Sequence, residues 1–213
     1  MDNYNKVFKT EQEIKWSSDF GDKYFYRVQE KKKEAIPGNI SIFSEILSKT
    51  YKVKTIIEYG ANVGLNLIAI NQLLPDIDLT AVEINQKAFN QLKNNKFIKK
   101  AYNKSIIDFI PSEKFDLCFT KGVLIHINPS SLEKVYKLLY ESSNKYILVA
   151  EYYNPFPVEV SYQDESRMLY KRDFAGELID KYPDLGLVDY GFRYHRDKYF
   201  PRDDITWFLL QKM

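Results

Sequence analysis

Residues 56–70 read IIEYGANVGLNLIAI, and this stretch decides the fold expected of the chain. A short β-branched run ends at Gly60, and apolar residues then recur at helical spacing from Gly64 until Pro75. β-branched runs favour strands, whereas this apolar spacing indicates a helix. The stretch therefore predicts a strand, a glycine-bearing turn and a helix. In α/β sheets, ligands bind beyond the carboxyl ends of the strands, where this turn lies.

The spacing of the glycines distinguishes two kinds of cofactor turn. Dinucleotide-binding turns follow G-x-G-x-x-G, whose outer glycines are five residues apart. Gly60 and Gly64 are four apart, and Glu58 stands two residues before the first. The pattern resembles E-x-G-x-G-x-G, the first motif of class I S-adenosylmethionine-dependent methyltransferases, with Asn62 in place of the middle glycine. Asparagine tolerates positive φ, so the turn remains feasible. The resemblance implies S-adenosylmethionine as cofactor and a first set of binding residues: Glu58, Gly60, Asn62 and Gly64.

A second carboxylate supports the same cofactor. Glu83 lies in the strand-like run IDLTAVEI, nineteen residues after Gly64. A carboxylate at that place accepts hydrogen bonds from both ribose hydroxyls. The alternative is an exposed glutamate at a strand end. The next residue, Ile84, joins the predicted cofactor set.

A third segment, NKSIIDFIP, resembles the part of class I methyltransferases that contacts the adenine edge. The resemblance assigns this contact to Ser105 and Ile106, with Asp108 as an alternative donor or a local cap. Lys121, at the end of the later strand-like run FDLCFTKG, completes the predicted cofactor site.

Strand and helix patterns alternate along the rest of the chain. A helix is predicted from Asn39 after a turn at Pro37 and Gly38, and another after IDLTAVEI with Asn85 as its N-cap. A further helix is expected from about Pro129, with the S-x-x-E spacing of a capping box in SSLE. The later runs predict a strand at KYILVAE, a loop through EYYNPFPVEVSYQ, a short helix near DFAGELIDKY, and strands at GLVDYGFRYH and DITWFLLQK.

This alternation predicts a doubly wound α/β fold with a mostly parallel sheet covered on both faces. The methyltransferase resemblance implies a seven-stranded, Rossmann-like sheet with an N-terminal helical extension. We expect residues 1–35 to form that extension and a candidate lid, and residues 36–213 to form one catalytic domain. The candidate lid residues are Trp16, Tyr24, Tyr26 and Arg27, with packing against the outer helices as the alternative.

Composition narrows the range of partners. The chain has 213 residues and a formal net charge of +2, so it lacks the basic excess that binding along a nucleic acid backbone requires. No apolar run reaches the length of a membrane span, and the opening MDNYNKVFKTEQEIK has no signal-peptide core. A single cysteine, Cys118, and two histidines predict neither a disulfide nor a zinc site. We expect a cytoplasmic protein without a metal, a nucleic acid partner or a membrane partner.

The second half of the chain carries a narrower resemblance. The strings TKGVLIHINP and EYYNP, together with KRDFAGELIDKYPDLGLVDYGFRYHRD, resemble the pseudaminic acid biosynthesis-associated methylases. The resemblance covers the chain from about Trp16 to its end. It implies a small methyltransferase associated with assembly of nonulosonic acids or related surface glycans. It does not identify the methyl acceptor.

Methyl transfer needs an acceptor lone pair held in line with the bond from sulfur to carbon, and a hydroxyl acceptor also needs a base. His126 follows the fourth strand and is the predicted base. The alternative is that its side chain only connects the loop to the following helix. Tyr153 is the second catalytic candidate. Substrate binding is assigned to Asn154, Arg193 and His195. The last two lie in a polar cluster that suits an acidic sugar. The alternative for His195 is an ordinary surface position without a function.

Three functions are compatible with these patterns. The leading one is a methyltransferase that acts on a small, carbohydrate-derived acceptor. A non-catalytic cofactor-binding or scaffold protein of glycan assembly is the second, and a methyltransferase on protein or RNA is the third. The sequence leaves the acceptor atom and the oligomeric state open.

Overall fold

A computed structural model describes residues 8–163 and 165–213 of the chain. The helices are α1 (Glu11–Ser17), α2 (Asp19–Glu30), α3 (Lys32–Leu47), α4 (Leu65–Leu73), α5 (Gln86–Leu92), α6 (Leu132–Ser142) and α7 (Phe174–Lys181). The strands are β1 (Thr55–Tyr59), β2 (Asp78–Val82), β3 (Ile98–Tyr102), β4 (Phe115–Lys121), β5 (Ser143–Glu151), β6 (Val158–Tyr162), β7 (Glu165–Lys171), β8 (Leu185–Arg193) and β9 (Ile205–Lys212). Within the described part of the chain, no helix has both the length and the apolar character needed to cross a membrane.

Seven strands form one sheet in the order β3-β2-β1-β4-β5-β9-β8. The first five along the chain pair in parallel, whereas β9 runs antiparallel to both β5 and β8. The predicted doubly wound, mostly parallel, seven-stranded sheet is therefore confirmed. β6 and β7 form a separate antiparallel hairpin between β5 and α7.

The two faces of the sheet bury separate cores. Successive side chains of a strand point to opposite faces, so Ile56 and Ile57 enter different clusters. The face with Ile56 packs on α3 and α4, and the face with Ile57 packs on α6 and α7. Burial on both sides explains why the central strands read as continuous apolar runs.

The N-terminal helices form a defined unit. Thr10 caps α1: its hydroxyl accepts a hydrogen bond from the Glu13 N–H at 3.2 Å, and the Glu13 carboxylate accepts one from the Thr10 N–H at 2.9 Å. The expected boundary between residues 35 and 36 falls inside α3. Residues 1–7 of the predicted extension lie outside the described residues.

The helix predicted to start at Asn39 begins seven residues earlier, at Lys32, so the turn expected at Pro37 and Gly38 is wrong. α3 continues through the proline and forgoes the one hydrogen bond that proline cannot donate. Gly38 is buried against the guanidinium of Arg202, where a Cβ would lie 2.5 Å from Nη2. Packing against this distant residue overrides the local turn signal.

Two other local predictions have opposite outcomes. Asn85 is the N-cap of α5, as predicted, and its Oδ1 accepts a hydrogen bond from the Ala88 N–H at 2.9 Å. The capping box predicted in SSLE is wrong, because α6 starts at Leu132 and its N-cap, Ser131, makes no side-chain cap. A short 3-10 turn precedes α6 instead, and the side chain of Asn128 caps that turn.

The segment predicted as a loop, EYYNPFPVEVSYQ, contains β6, and β3 has no counterpart among the predicted strands. β6 alternates Val158 and Val160 with polar residues, but most of its side chains remain exposed or half-buried. β3 carries two lysines in five residues. Neither strand has the continuous apolar character that marked the central strands.

We expect Phe119→Ala to lower the free energy of unfolding by about 3 to 5 kcal/mol, because it removes a fully buried ring that packs edge-on against Phe43 at 5.4 Å. Phe156→Ala is the control, since that ring is 74% exposed. Urea denaturation of both variants measures the difference. Similar losses below about 1 kcal/mol in both would contradict the assigned core.

Candidate active site

A cavity of about 730 Å³ opens at the carboxyl ends of the parallel strands. Its size falls within the range of about 300 to 1,000 Å³ that is usual for small-molecule sites. The turns after β1, β2 and β4 line it, together with residues of α1 and α2. The position is the one that open α/β sheets use for ligands.

The turn after β1 has the backbone that its glycines predict. Gly60, Asn62 and Gly64 have φ values of 79°, 48° and 80°, all in the left-handed region. A Cβ on Gly60 would lie 2.6 Å from a methyl group of Val123, so the backbone approaches the neighbouring loop closely. Asparagine adopts this conformation more readily than most residues do, which explains how Asn62 replaces a glycine here. Gly60 and Asn62 line the cavity, whereas Gly64 begins α4 behind it.

Glu83 joins this turn to the next one. Its carboxylate accepts hydrogen bonds from the Asn62 N–H and the Asn85 N–H, both at 2.7 Å. The residue is 6% exposed, so the alternative of an exposed strand-end glutamate is wrong. Glu83 also lines the cavity, so a ligand there would lie against this carboxylate.

Asn103 supports the same turn from β3's side and was not found from the sequence. Its Nδ2 donates to the carbonyl oxygens of Glu83 and Ile84 at 2.9 and 3.0 Å. Ile84 lines the cavity. The sequence signal was weak because an asparagine after a strand is an ordinary turn residue.

Glu58 lies beneath the turn and outside the lining of the cavity. It is fully buried, its Oε1 accepts a hydrogen bond from Asn66 at 2.6 Å, and burial raises the pKa of its carboxyl to about 8. Lys121 does line the cavity, and burial, reinforced by the charge of Arg202, lowers the pKa of its ammonium to about 8. Glu58 therefore supports the turn from below, while Lys121 faces the space that a ligand would fill.

The predicted adenine segment also reaches the cavity. Ser105 and Ile106 both line it, and the Ser105 hydroxyl accepts a hydrogen bond from the Ile107 N–H at 3.2 Å. Asp108, the alternative, instead forms an ion pair with Lys9 at 2.7 Å on the surface.

His126 lies in the cavity wall between two aromatic rings. Its ring centroid is 4.7 Å from that of Trp16 and 5.0 Å from that of Tyr162. Nδ1 lies 2.5 Å from the carbonyl oxygen of Met168. A carbonyl only accepts, so Nδ1 carries the proton and Nε2 carries the lone pair. Burial lowers the pKa of the imidazole to about 4, although the hydrogen bond to Met168 opposes that shift.

Glu151, at the end of β5, holds the loop that carries His126. Its carboxylate accepts hydrogen bonds from the N–H groups of Val123, at 2.9 Å, and Ile125, at 3.4 Å. Burial raises the pKa of this carboxyl to about 7. The sequence showed Glu151 only as the first residue of EYYNP, with no sign of its long-range contact.

Besides Glu58 and Gly64, three more predicted site residues lie away from the cavity: Tyr153, Asn154 and Arg193. Tyr153 is 42% exposed and packs on Phe208 at 5.7 Å, while its neighbour Tyr152 lines the cavity. Adjacent residues of extended chain face opposite sides, and the wrong tyrosine was therefore chosen. Asn154 donates from Nδ2 to the Phe156 carbonyl at 2.6 Å.

Arg193 forms an ion pair with Glu45 of α3, so its charge serves that helix and not the cavity. His195, in contrast, lines the cavity, and its Nδ1 lies 2.8 Å from both carboxylate oxygens of Asp204. Of the predicted substrate residues, only His195 reaches the site. Within the part of the chain that the structure describes, no group of three or more His, Cys, Asp or Glu residues is placed to hold a metal ion.

Comparison with known proteins gives structural matches only. No protein-family model and no curated protein matches the chain. The plantazolicin methyltransferase BpumL in complex with SAH is 14% identical, with coverage of 94% of this chain and 93% of its own and a TM-score of 0.65. Magnesium protoporphyrin IX methyltransferase (ChlM) from Synechocystis PCC 6803, with bound SAM, is 9% identical. That match covers 98% of this chain and 100% of the ChlM chain, with a TM-score of 0.65. DesVI of Streptomyces venezuelae is 9% identical, and the match covers 92% of this chain and 99% of the DesVI chain, with a TM-score of 0.66. The chain has the class I methyltransferase fold.

The low pKa of His126 predicts an acid-sensitive fold. The unfolded imidazole takes up a proton near its ordinary pKa of 6.5, while the folded one stays neutral down to about 4. The unfolded state therefore binds more protons in this window, and stability falls as pH drops through it. We expect His126→Gln to flatten the pH dependence of the unfolding free energy between pH 6.5 and pH 4. Parallel curves for the variant and the wild type would contradict this assignment.

Proposed function

We propose that the chain is an S-adenosylmethionine-dependent methyltransferase that acts on a small, sugar-derived acceptor, such as a nonulosonic acid or a surface-glycan precursor. The observation that carries the cofactor assignment is the cavity wall in which the Gly60 turn, Glu83 and the segment at Ile106 come together. The sugar-derived acceptor rests on the sequence resemblance through TKGVLIHINP and EYYNP. A cytoplasmic setting stays a prediction from composition.

The polar groups of the cavity suit this cofactor. Asn39 and Asn66 line it, and the Oδ1 atom of each is buried without a hydrogen-bond partner among the described residues. Unpaired acceptors of this kind are costly, and a donor such as the ammonium of the cofactor's amino acid would satisfy them. Lys121 supplies a cation for the carboxylate, and Glu83 supplies acceptors for the ribose.

When bound, S-adenosylmethionine supplies a methyl group on a sulfonium cation. The rings of Trp16, Tyr24 and Tyr162 favour a cation near their faces and also exclude water. Trp16 and Tyr24 pack edge to face at 5.2 Å, so both rings are held in place.

His126 is the residue that receives the acceptor's proton. Its Nδ1 proton is held by Met168, so Nε2 offers a fixed lone pair at neutral pH. A hydroxyl acceptor would donate its hydrogen bond to Nε2, and Nε2 would take the proton as the acceptor oxygen gains the methyl group and the bond from sulfur to that methyl breaks. The methylated oxygen is a far stronger acid than an imidazolium with a pKa of about 4, so the transfer is downhill. An amine that enters in its neutral form needs no such base.

Tyr152 and His195 line the part of the cavity that would hold the methyl acceptor. Both line the cavity on the side of β5 and β8, away from the adenine segment. Asp204 orients the imidazole of His195 through Nδ1 at 2.8 Å. An oriented imidazole at this place suits the hydroxyl or carboxylate of an acidic sugar.

Glu83→Gln tests the cofactor site. An amide nitrogen at this position would face one of two backbone N–H donors, and a charged acceptor for the ribose would be lost. We expect the Kd for S-adenosylhomocysteine to rise by about 10- to 100-fold in calorimetry. Glu113→Gln, an exposed carboxylate paired with Lys100, is the control and should bind as the wild type does. Equal Kd values for the wild type and Glu83→Gln would contradict the assignment, as would binding of NAD in place of the adenosyl ligand.

The acceptor is tested by methyl transfer from 13C-methyl S-adenosylmethionine to a panel of free and nucleotide-linked nonulosonic acids. We expect a methyl signal in NMR attached to a sugar oxygen or nitrogen, and its loss with His126→Gln for an oxygen acceptor. Cofactor binding without transfer to any sugar would contradict the sugar assignment and favour a scaffold role. Labelling of protein or RNA in the same assay would favour the third hypothesis.

A further inference from the structure

The N-terminal helices contribute directly to the cavity. We name the pair α1 and α2 the cover. Its residues that line the cavity are Gln12, Glu13, Trp16, Gly21, Tyr24, Arg27 and Val28. A molecule that fills the cavity therefore contacts the cover on one side and the turns after β1 and β2 on the other. Its release depends on how firmly the cover is held.

Asn85 connects the cover to the turn that carries Glu83. Its Nδ2 donates to a carboxylate oxygen of Asp22 at 2.8 Å and to the Trp16 carbonyl at 3.3 Å. Its Oδ1 caps α5, and its N–H donates to Glu83 at 2.7 Å. One side chain thus joins the cover, the start of α5 and the predicted ribose carboxylate.

Asp22 is the centre of this contact on the side of the cover. Its carboxylate forms an ion pair with Lys87 at 2.7 Å as well as accepting from Asn85. Burial raises the pKa of Asp22, but the hydrogen bonds from Lys87 and Asn85 outweigh it and lower the pKa below its ordinary value. The carboxylate is therefore ionised and paired at neutral pH.

Gly21 lets the helix approach this closely. A Cβ at that position would overlap the Trp16 carbonyl oxygen and would lie 2.9 Å from Nδ2 of Asn85. The fit between the cover and Asn85 thus has no room for a side chain. Elsewhere the cover is tied by Gln12, whose Nε2 donates to the Arg167 carbonyl at 2.7 Å.

We propose that Asp22, Asn85 and Lys87 form a latch that holds the cover against the turn after β2, and that this latch opens when a ligand enters or leaves the cavity. The identity of that ligand, the adenosyl cofactor, rests on the proposed function. The latch itself rests on the contacts between the cover and Asn85. Lys31 is the single residue between α2 and α3, so the cover joins the rest of the chain there.

Asp22→Ala tests the latch, with Asp19→Ala as its matched control. Both aspartates lie in the first turn of α2, so both substitutions remove the same favourable interaction with the helix dipole. The Asp19 carboxylate is exposed and makes no hydrogen bond or ion pair with any described residue, whereas the Asp22 carboxylate makes both. Asn85→Asp is a second test, because it keeps the oxygen that caps α5 but removes the donor to Asp22.

The first measurement is hydrogen exchange of the unliganded protein over residues 11–30. We expect exchange to quicken by about 3- to 30-fold in Asp22→Ala and Asn85→Asp, in keeping with loss of a partly exposed charged hydrogen bond. Asp19→Ala should exchange at the wild-type rate. Equal exchange in the wild type and all three variants would overturn the latch. Equal acceleration of exchange in Asp22→Ala and Asp19→Ala would also overturn it.

The second measurement is the dissociation rate of S-adenosylhomocysteine, followed through the fluorescence of Trp16 in stopped flow. Trp16 lines the cavity, while Trp207 is fully buried in the core and serves as a constant background. We expect dissociation to quicken in both latch variants and to stay unchanged in Asp19→Ala. Wild-type protein that binds no adenosyl ligand would contradict the proposed function, and hydrogen exchange would still decide the latch. Binding with an unchanged dissociation rate in the latch variants would overturn the proposed opening.

Discussion

The buried carboxylate of Glu83 is the interaction on which the architecture of the site depends. A charge at 6% exposure needs partners, and Glu83 finds them in the N–H groups of Asn62 and Asn85. These amides belong to the turns after β1 and β2, so satisfying one carboxylate fixes two loops relative to each other. The parallel pairing of β1 and β2 brings both turns to the same edge of the sheet. The cofactor site proposed here is thus a consequence of strand direction and of one charge that must be paired.

Burial sets the chemistry of the site as much as residue identity does. Glu58 and Glu151 have raised pKa values and Lys121 and His126 have lowered ones, and burial is the largest cause in each case. With a pKa of about 4, the imidazole of His126 is a weaker base than a free imidazole in water. Beside the sulfonium of the proposed cofactor, a neutral imidazole would add no second positive charge before the proton moves.

The sequence predicted the parts of the fold that depend on local chemistry. The strand, turn and helix of residues 56–70 and the N-cap at Asn85 follow from β-branched residues, glycine and side-chain acceptors near in sequence. The same reasoning failed at Pro37, because the partner that stabilises the helix there is Arg202, far along the chain. It also missed the hairpin of β6 and β7, because the residues of β6 are too exposed to show a strand pattern.

Some residues of the candidate site could likewise be predicted from the local sequence, whereas others depend on contacts made only in the fold. Gly60 and Glu83 reach the cavity because the turns after the parallel strands all lie at one edge of the sheet. Tyr153 was chosen over Tyr152 because a one-residue difference in register reverses which side of the chain a ring faces, and composition does not reveal register. Arg193 read as a rim cation because its partner, Glu45, is 148 residues away. Long-range pairing of charges is invisible until the fold brings the partners together.

The most direct test of the central claim is a crystal structure of the protein with S-adenosylhomocysteine. We expect electron density in the cavity, with both ribose hydroxyls within hydrogen-bonding distance of the Glu83 carboxylate and the adenine ring against Ile106. Density for the ligand at another place on the molecule, or a ribose that leaves Glu83 without contact, would contradict it.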